Sequence, residues 1–265
     1  MRNSLNRILT VALNTFKEAV RNRAFIGLML GALVLILASL IVSELVVFDQ
    51  RKRVVQDFGL FFISFAGVVI SITIGVVLVY KELERKTIYS LLPKPLFRHE
   101  FILGRYLGIF VILLTVVSSL SGAWLVVLKL QEVTLQPAFA KGIILILGEL
   151  SVVAAVALLF STFSTPVLSG IYTFGIFVLG RQIYFIEELL HARKGIFVSA
   201  PQLRPFGKAI TAVFPDLSLF DISKEILLEV NISWHYVLSA LGYGFCYSVL
   251  LIALAAVIFQ RRDFV

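Results

Sequence analysis

The chain has 265 residues, 59% of them hydrophobic and 15% charged, with a formal net charge of +8 and a mean hydropathy of +0.98. That balance excludes an ordinary soluble globular domain and a disordered polar chain. In so apolar a chain the excess of Lys and Arg bears on membrane orientation, and no nucleic-acid partner is expected.

A run of roughly 20 apolar residues crosses a hydrocarbon core of about 30 Å, and the sequence holds six such runs. The expected fold is an all-α membrane protein with six transmembrane helices, forming one domain over residues 1–265. Ahead of the first run, residues 1–23 place Leu5, Ile8, Leu9, Ala12, Phe16, Ala19 and Val20 at helical spacing, with Arg7, Asn14, Lys17, Glu18 and Arg21 mostly opposite. The pattern predicts an interfacial helix in contact with membrane lipid, either a plain anchor or an element with a further role. A charged lead of this length before a spanning run does not fit a cleaved signal peptide, so the first span is expected to stay.

Spans are predicted at 24–48, 59–80, 104–128, 142–163, 165–186 and 236–259. Basic residues favour the cytoplasmic side. Arg2, Arg7, Lys17, Arg21 and Arg23 precede the first span, Lys81, Arg85, Lys86, Lys94 and Arg98 lie between the second and third, and Arg261 and Arg262 follow the last. Both termini are therefore expected inside, in a multi-pass protein of the cell membrane. Arg51, Lys52 and Arg53 run against this orientation, although Asp49 and Asp57 flank them. Gly27 and Gly31, then Gly67, Ser71 and Gly75, then Gly104 and Gly108, then Ser118 and Gly122 repeat at four-residue spacing. Such stripes let backbones approach closely, inside a bundle or across a dimer seam.

Between spans 2 and 3, residues 81–103 include "KELERKTIYSLLPKP". Lys81 to Leu92 favours a short amphipathic helix, with Leu83, Ile88, Leu91 and Leu92 among charges, and Pro93 and Pro95 stop it. A docking helix for another protein and a solvated turn both fit these residues. The outer segment, 187–235, is predicted to form short helices at Glu187 to Lys194, Phe206 to Phe214 and Ile222 to Val230, packed at or dipping into the outer leaflet. Asp221 is placed to cap the last of them.

No phosphate loop is present: Gly207 and Lys208 are followed by Ala209. If ATP is used, another chain binds it. The histidines, His99, His191 and His235, are scattered; Glu187, Glu188 and His191 share a helical face, but polar residues turned to water explain them more simply than a metal. Cys246, the single cysteine, leaves no intrachain disulfide and no Cys-based metal site. No histidine falls in a span core, which argues against an intramembrane hydrolase.

Ionisable residues inside spans need partners. At 1.5 Å per residue, Glu149 lies about 21 Å along span 4 from Phe163, and Arg181 about 24 Å along span 5 from Thr165. They are placed to pair across the tight hairpin. Equally open is that Arg181 reaches the headgroups while Glu149 faces a watery cavity or a second subunit. A secondary transporter or channel built on Glu149 is the alternative functional reading.

"TFKEAVRNR" before span 1, "ELERKTIYSLLPKPLFRHEFILGRYLG" after span 2, "FSTFSTPVLSG" between spans 4 and 5, "FPDLSLFD" before span 6 and "FQRRDF" at the end occur in this order. In that order they resemble the ABC transporter type-2 permeases, the type V exporter fold, over nearly the whole chain. The resemblance implies a standalone permease subunit of an ABC exporter, without enzyme chemistry of its own, in a prokaryotic inner or plasma membrane. It would pair with a second permease subunit, as a homodimer or heterodimer, and with ABC ATPase subunits that bind ATP and Mg. It further implies that the helix at about Asn3 to Arg23 and a coupling helix at about Lys81 to Leu92 meet the ATPase. The contact residues assigned on that basis are Glu82, Glu84, Arg85, Thr87, Ile88, Tyr89 and Leu91, with Phe16 and Lys17 from the first helix. The family's larger members carry a fused ATPase or a large outer domain, and neither is expected in this chain.

Overall fold

The computed structural model describes residues 2–46, 50–84, 97–192, 201–228 and 230–261. Among the described residues the chain is helical and carries no strand. In order the helices are α1 Arg2–Val20, α2 Arg23–Glu44, α3 Arg51–Glu84, α4 Arg98–Leu130, α5 Pro137–Ser161 and α6 Pro166–Arg181. They continue with α7 Ile183–His191, α8 Arg204–Val213, α9 Ser223–Leu227 and α10 Trp234–Arg261. Five of them are long and apolar enough to cross a membrane, six if the bent pair α6 and α7 counts as one span.

Helix α5 is the axis of the bundle and packs against α3, α4, α6 and α10. In its most apolar stretch 72% of residues are buried, against 22% in α2, which lies at the periphery. Lipid is as apolar as Leu, so close van der Waals packing rather than water exclusion holds such helices together. Two of the small-residue stripes serve this end. A Cβ on Gly67 would fall 2.3 Å from Leu150 Cδ1, and one on Gly75 would fall 2.8 Å from the Cβ of Ala157, so α3 lies directly on α5. Gly104 and Gly108 face α1 in the same way, at Val11 and Thr15. Gly27, Gly31 and Gly122 face open space.

At the end opposite the termini, the fully buried Trp124 of α4 packs against Gly59 of α3 and donates its indole N–H to the Val55 carbonyl at 3.1 Å. Any Cβ at Gly59 would overlap the indole. The basic triplet at the head of α3 also has a local use. Arg51 pairs with the Glu44 carboxylate at 2.9 Å and donates to the Glu44 and Val46 carbonyls, while Lys52 Nζ donates to the Glu132 carbonyl at 3.0 Å. Two cations thus close the C-terminal ends of α2 and α4, where free carbonyls and the helix dipole favour positive charge.

Several predicted boundaries shift. Helix α3 begins at Arg51 rather than at residue 59 and runs without a break to Glu84, because nothing in "KELE" interrupts a helix; Lys81 to Glu84 extend the helix beyond the span. The predicted fifth span bends by 46° after Arg181. The Leu217 N–H takes the Gly180 carbonyl at 3.1 Å, so the end of α6 is tied to the segment before α9. The short helices fall at Ile183–His191, Arg204–Val213 and Ser223–Leu227. Asp221 Oδ1 accepts from the Ser223 N–H at 3.2 Å.

That segment enters the bundle. Tyr236 and Tyr247 donate to the carbonyls of Leu219 and Val213 at 2.8 and 2.9 Å, and the Tyr243 hydroxyl accepts the Asp216 N–H at 2.8 Å. Tyr236 and Tyr247 are separated by about 16 Å along α10 at 1.5 Å per residue. The chain therefore descends to Val213 and climbs back beside α10.

Candidate functional site

The first candidate region is a plate of charged contacts at the termini end, where α4 begins just after residues 85–96. Glu100, almost fully buried, accepts from Ser4 Oγ at 2.9 Å and from Arg7 Nη2 at 2.8 Å, both on α1. One and a half turns on, the buried Arg105 donates to Thr15 Oγ1 at 3.2 Å, stands 3.7 Å from the Glu18 carboxylate and lies over the Phe101 ring. Arg98 Nη1 donates to the last-turn carbonyls of α10, Phe259 at 3.1 Å and Gln260 at 2.8 Å. The base of α4 is therefore bonded to both the first helix and the last.

The amphipathic pattern of α1 divides between two environments. Ala12, Thr15 and Ala19 are buried, with α4 as the helix's main packing partner, while Leu5, Leu9, Leu13 and Val20 form an exposed apolar stripe. Phe16 is half-buried and Lys17 exposed. Glu82 and Glu84 lie on the last turn of α3. Arg85, Thr87, Ile88, Tyr89 and Leu91 lie outside the described residues.

The second region is an ion cluster deep in the bundle. Glu149, fully buried on α5, is about 18 Å from the helix start at Pro137. It receives Arg181 Nε on Oε1 at 2.8 Å and Arg181 Nη2 on Oε2 at 3.0 Å. Ser64 of α3 donates to Glu149 Oε2 and accepts from Arg181 Nη2, each at 3.0 Å. Arg181 Nη1 reaches Asp221 at 3.0 Å. A guanidinium presents its donors in a fixed planar fork, which suits it to hold α3, α5 and the segment just before α9 at once.

Arg181 and Asp221 of this cluster line a cavity of about 750 Å³ between α7 and the segment 218–225. A smaller space of about 170 Å³ lies on the other side of the Arg181 to Asp221 pair, against Asp57 and Ser64. Sequence reasoning singled out Glu149 and Arg181 but missed Ser64 and Asp221 as their partners. A Ser in a span and an Asp ahead of a short helix are common, and nothing in their spacing marks them. No group of three or more metal-ligating side chains occurs among the described residues.

A sequence profile of the family described as ABC-2 family transporter protein matches residues 9–264. A search among curated proteins returned no match.

Proposed function

Because the chain belongs to the ABC-2 family of transporter proteins, a family of membrane permease subunits that work with ABC ATPases, we propose that it serves an ATP-driven exporter whose ATPase is a separate chain. In this reading residues 1–265 form one permease domain with the termini end in the cytoplasm, paired with a second permease subunit. The partner ATPase binds ATP and Mg, and no bond chemistry occurs on this chain.

The observation that carries the reading is the bonding of Arg98, Glu100 and Arg105 to α1 and α10 at the start of α4, just after residues 85–96. A push on residues 81–92 enters α4 at Arg98 and is shared with α1 and α10, since charge-assisted bonds at these distances resist separation. The proposed contact comprises Glu82, Glu84, Arg85, Thr87, Ile88, Tyr89 and Leu91, flanked by Phe16 and Lys17 on α1. A carrier working through Glu149 has less support, because both of its carboxylate oxygens are held by Arg181 and Ser64.

Affinity purification of the tagged chain from native membranes, followed by mass spectrometry, tests this. An ABC ATPase should accompany the wild type and be lost from the Glu82→Lys/Glu84→Lys variant. Purification without any ATPase would overturn the reading.

A further inference from the structure

Arg181 lines three separate spaces: the 750 Å³ vestibule, the 170 Å³ pocket, and a cleft of about 200 Å³ between α3 and α6. The cleft is walled by Phe61, Phe65, Phe177 and Val178. Phe61 and Phe65 stack at 5.8 Å and are 53% and 41% exposed on the flank of the bundle, so the cleft opens sideways, where lipid would lie. The vestibule differs in character. Tyr184, Phe185 and Tyr236 give it aromatic surface, and its charged lining sets Glu188, Asp221 and Glu225 against Arg181 and Lys224.

The charges do not cancel. Arg181 is neutralised from behind by Glu149 and binds Asp221 in front. Glu225 Oε2 is buried and has no hydrogen-bond partner among the described residues. A desolvated carboxylate oxygen without a donor is costly, and a cation entering beside it offsets that cost. In a chain with a formal net charge of +8, this is a locally electronegative cavity with aromatic faces, the combination that attracts ammonium groups.

We propose that the vestibule and the cleft together bind an ammonium-bearing amphiphile, its apolar chain between α3 and α6 and its cationic head among Tyr184, Tyr236, Glu188 and Glu225. Arg181 and Gln182 line both the cleft and the vestibule, so head and chain of one molecule would meet beside these two residues. This deepens the exporter reading by naming a cargo class, and it rests on that reading only for the direction of movement.

The test uses the whole chain in phosphatidylglycerol nanodiscs, titrated calorimetrically with dodecyltrimethylammonium, with empty discs as the blank. Saturable binding is expected, with no saturable binding of dodecyl sulfate. Glu188→Gln/Glu225→Gln should weaken it by about tenfold. Glu188 is exposed on α7, so Glu188→Gln alone, expected to cost about threefold, keeps the test valid if the double variant misfolds. Adding phosphatidylethanolamine to the discs separates the sources of the ammonium group: competition identifies a membrane lipid as the occupant, and unchanged affinity identifies a free amphiphile. Equal affinity for the sulfate, unchanged affinity in the variants, or no binding above empty discs would overturn the proposal. No ATPase is present in this assay, so its failure leaves the exporter reading to the co-purification.

Discussion

Arg181 at the end of α6 grips Glu149 in the middle of α5 by two near-parallel bonds, Nε to Oε1 at 2.8 Å and Nη2 to Oε2 at 3.0 Å. Glu149→Gln leaves the guanidinium with Asp221 as its remaining carboxylate, deep in the bundle. Because Asp221 still partners the partly exposed guanidinium, the loss should be about 1–3 kcal/mol, the cost of an unsatisfied buried polar group, and should appear as a fall in the thermal midpoint in lipid discs. Exchanging the charges, Glu149→Arg with Arg181→Glu, sets the new carboxylate beside Asp221. The exchange should therefore stay below wild type until Asp221→Asn is added, and thermal unfolding of the triple variant checks this.

Gly108 lies so close to α1 that a Cβ would meet Thr15 Cβ at 2.6 Å and the Ala12 carbonyl oxygen at 2.9 Å. Backbone cannot move aside as a side-chain tip can. Gly108→Ala should push α1 off α4 at a cost of about 1–3 kcal/mol. Gly27→Ala, with nothing within 4 Å, should leave stability unchanged or raise it slightly. Unfolding midpoints of the two variants, measured side by side, give the comparison.

Arg98 supplies the donor for the Phe259 and Gln260 carbonyls. Arg98→Ala should let the last turn of α10 fray, with hydrogen exchange there faster by an amount equal to about 1.5–3 kcal/mol, the range for bonds to a charged group. Exchange in the middle of α10 should not change.

Glu132, with φ of 52°, follows the end of α4 in the left-handed region. The Val133 N–H closes back on the Leu128 carbonyl at 3.0 Å, the bonding of a Schellman turn. A side chain with a Cβ is strained there, so Glu132→Gly should stabilise the protein by about 1 kcal/mol. Lys52 binds the Glu132 backbone carbonyl, a contact that the substitution keeps; a raised unfolding midpoint is the expected result.

Hydropathy made the spans legible, and the heights of Glu149 and Arg181 could be counted from span ends. The rest depended on contacts between residues distant in sequence. Arg51 and Lys52 read as exceptions to charge orientation because their partners, the C-terminal carbonyls of α2 and α4, are invisible to a count of charges. The bend after Arg181 comes just past Gly180, where a Cβ would fall 2.7 Å from the Pro215 carbonyl oxygen, and the Leu217 N–H donates to the Gly180 carbonyl there. Tyr236, Tyr243 and Tyr247 read as apolar span residues, yet their hydroxyls hold residues 213–219 against α10. For α1, periodicity gave one apolar face, whereas the structure divides it between α4 and an exposed stripe.

In the proposed exporter, ATP bound by the partner ATPase at the termini end is felt at the vestibule. The direct measurement is an electron-spin distance across the vestibule mouth in the purified complex with its ATPase. Labels at Glu187→Cys and Leu228→Cys, with Cys246 replaced by Ala, would be compared without nucleotide and with ATP and vanadate. The predicted result is a shift of about 3–6 Å, in the range of helix displacements in switching proteins, which Glu82→Lys/Glu84→Lys abolishes. Superimposable distance distributions in a complex that still hydrolyses ATP would contradict the account.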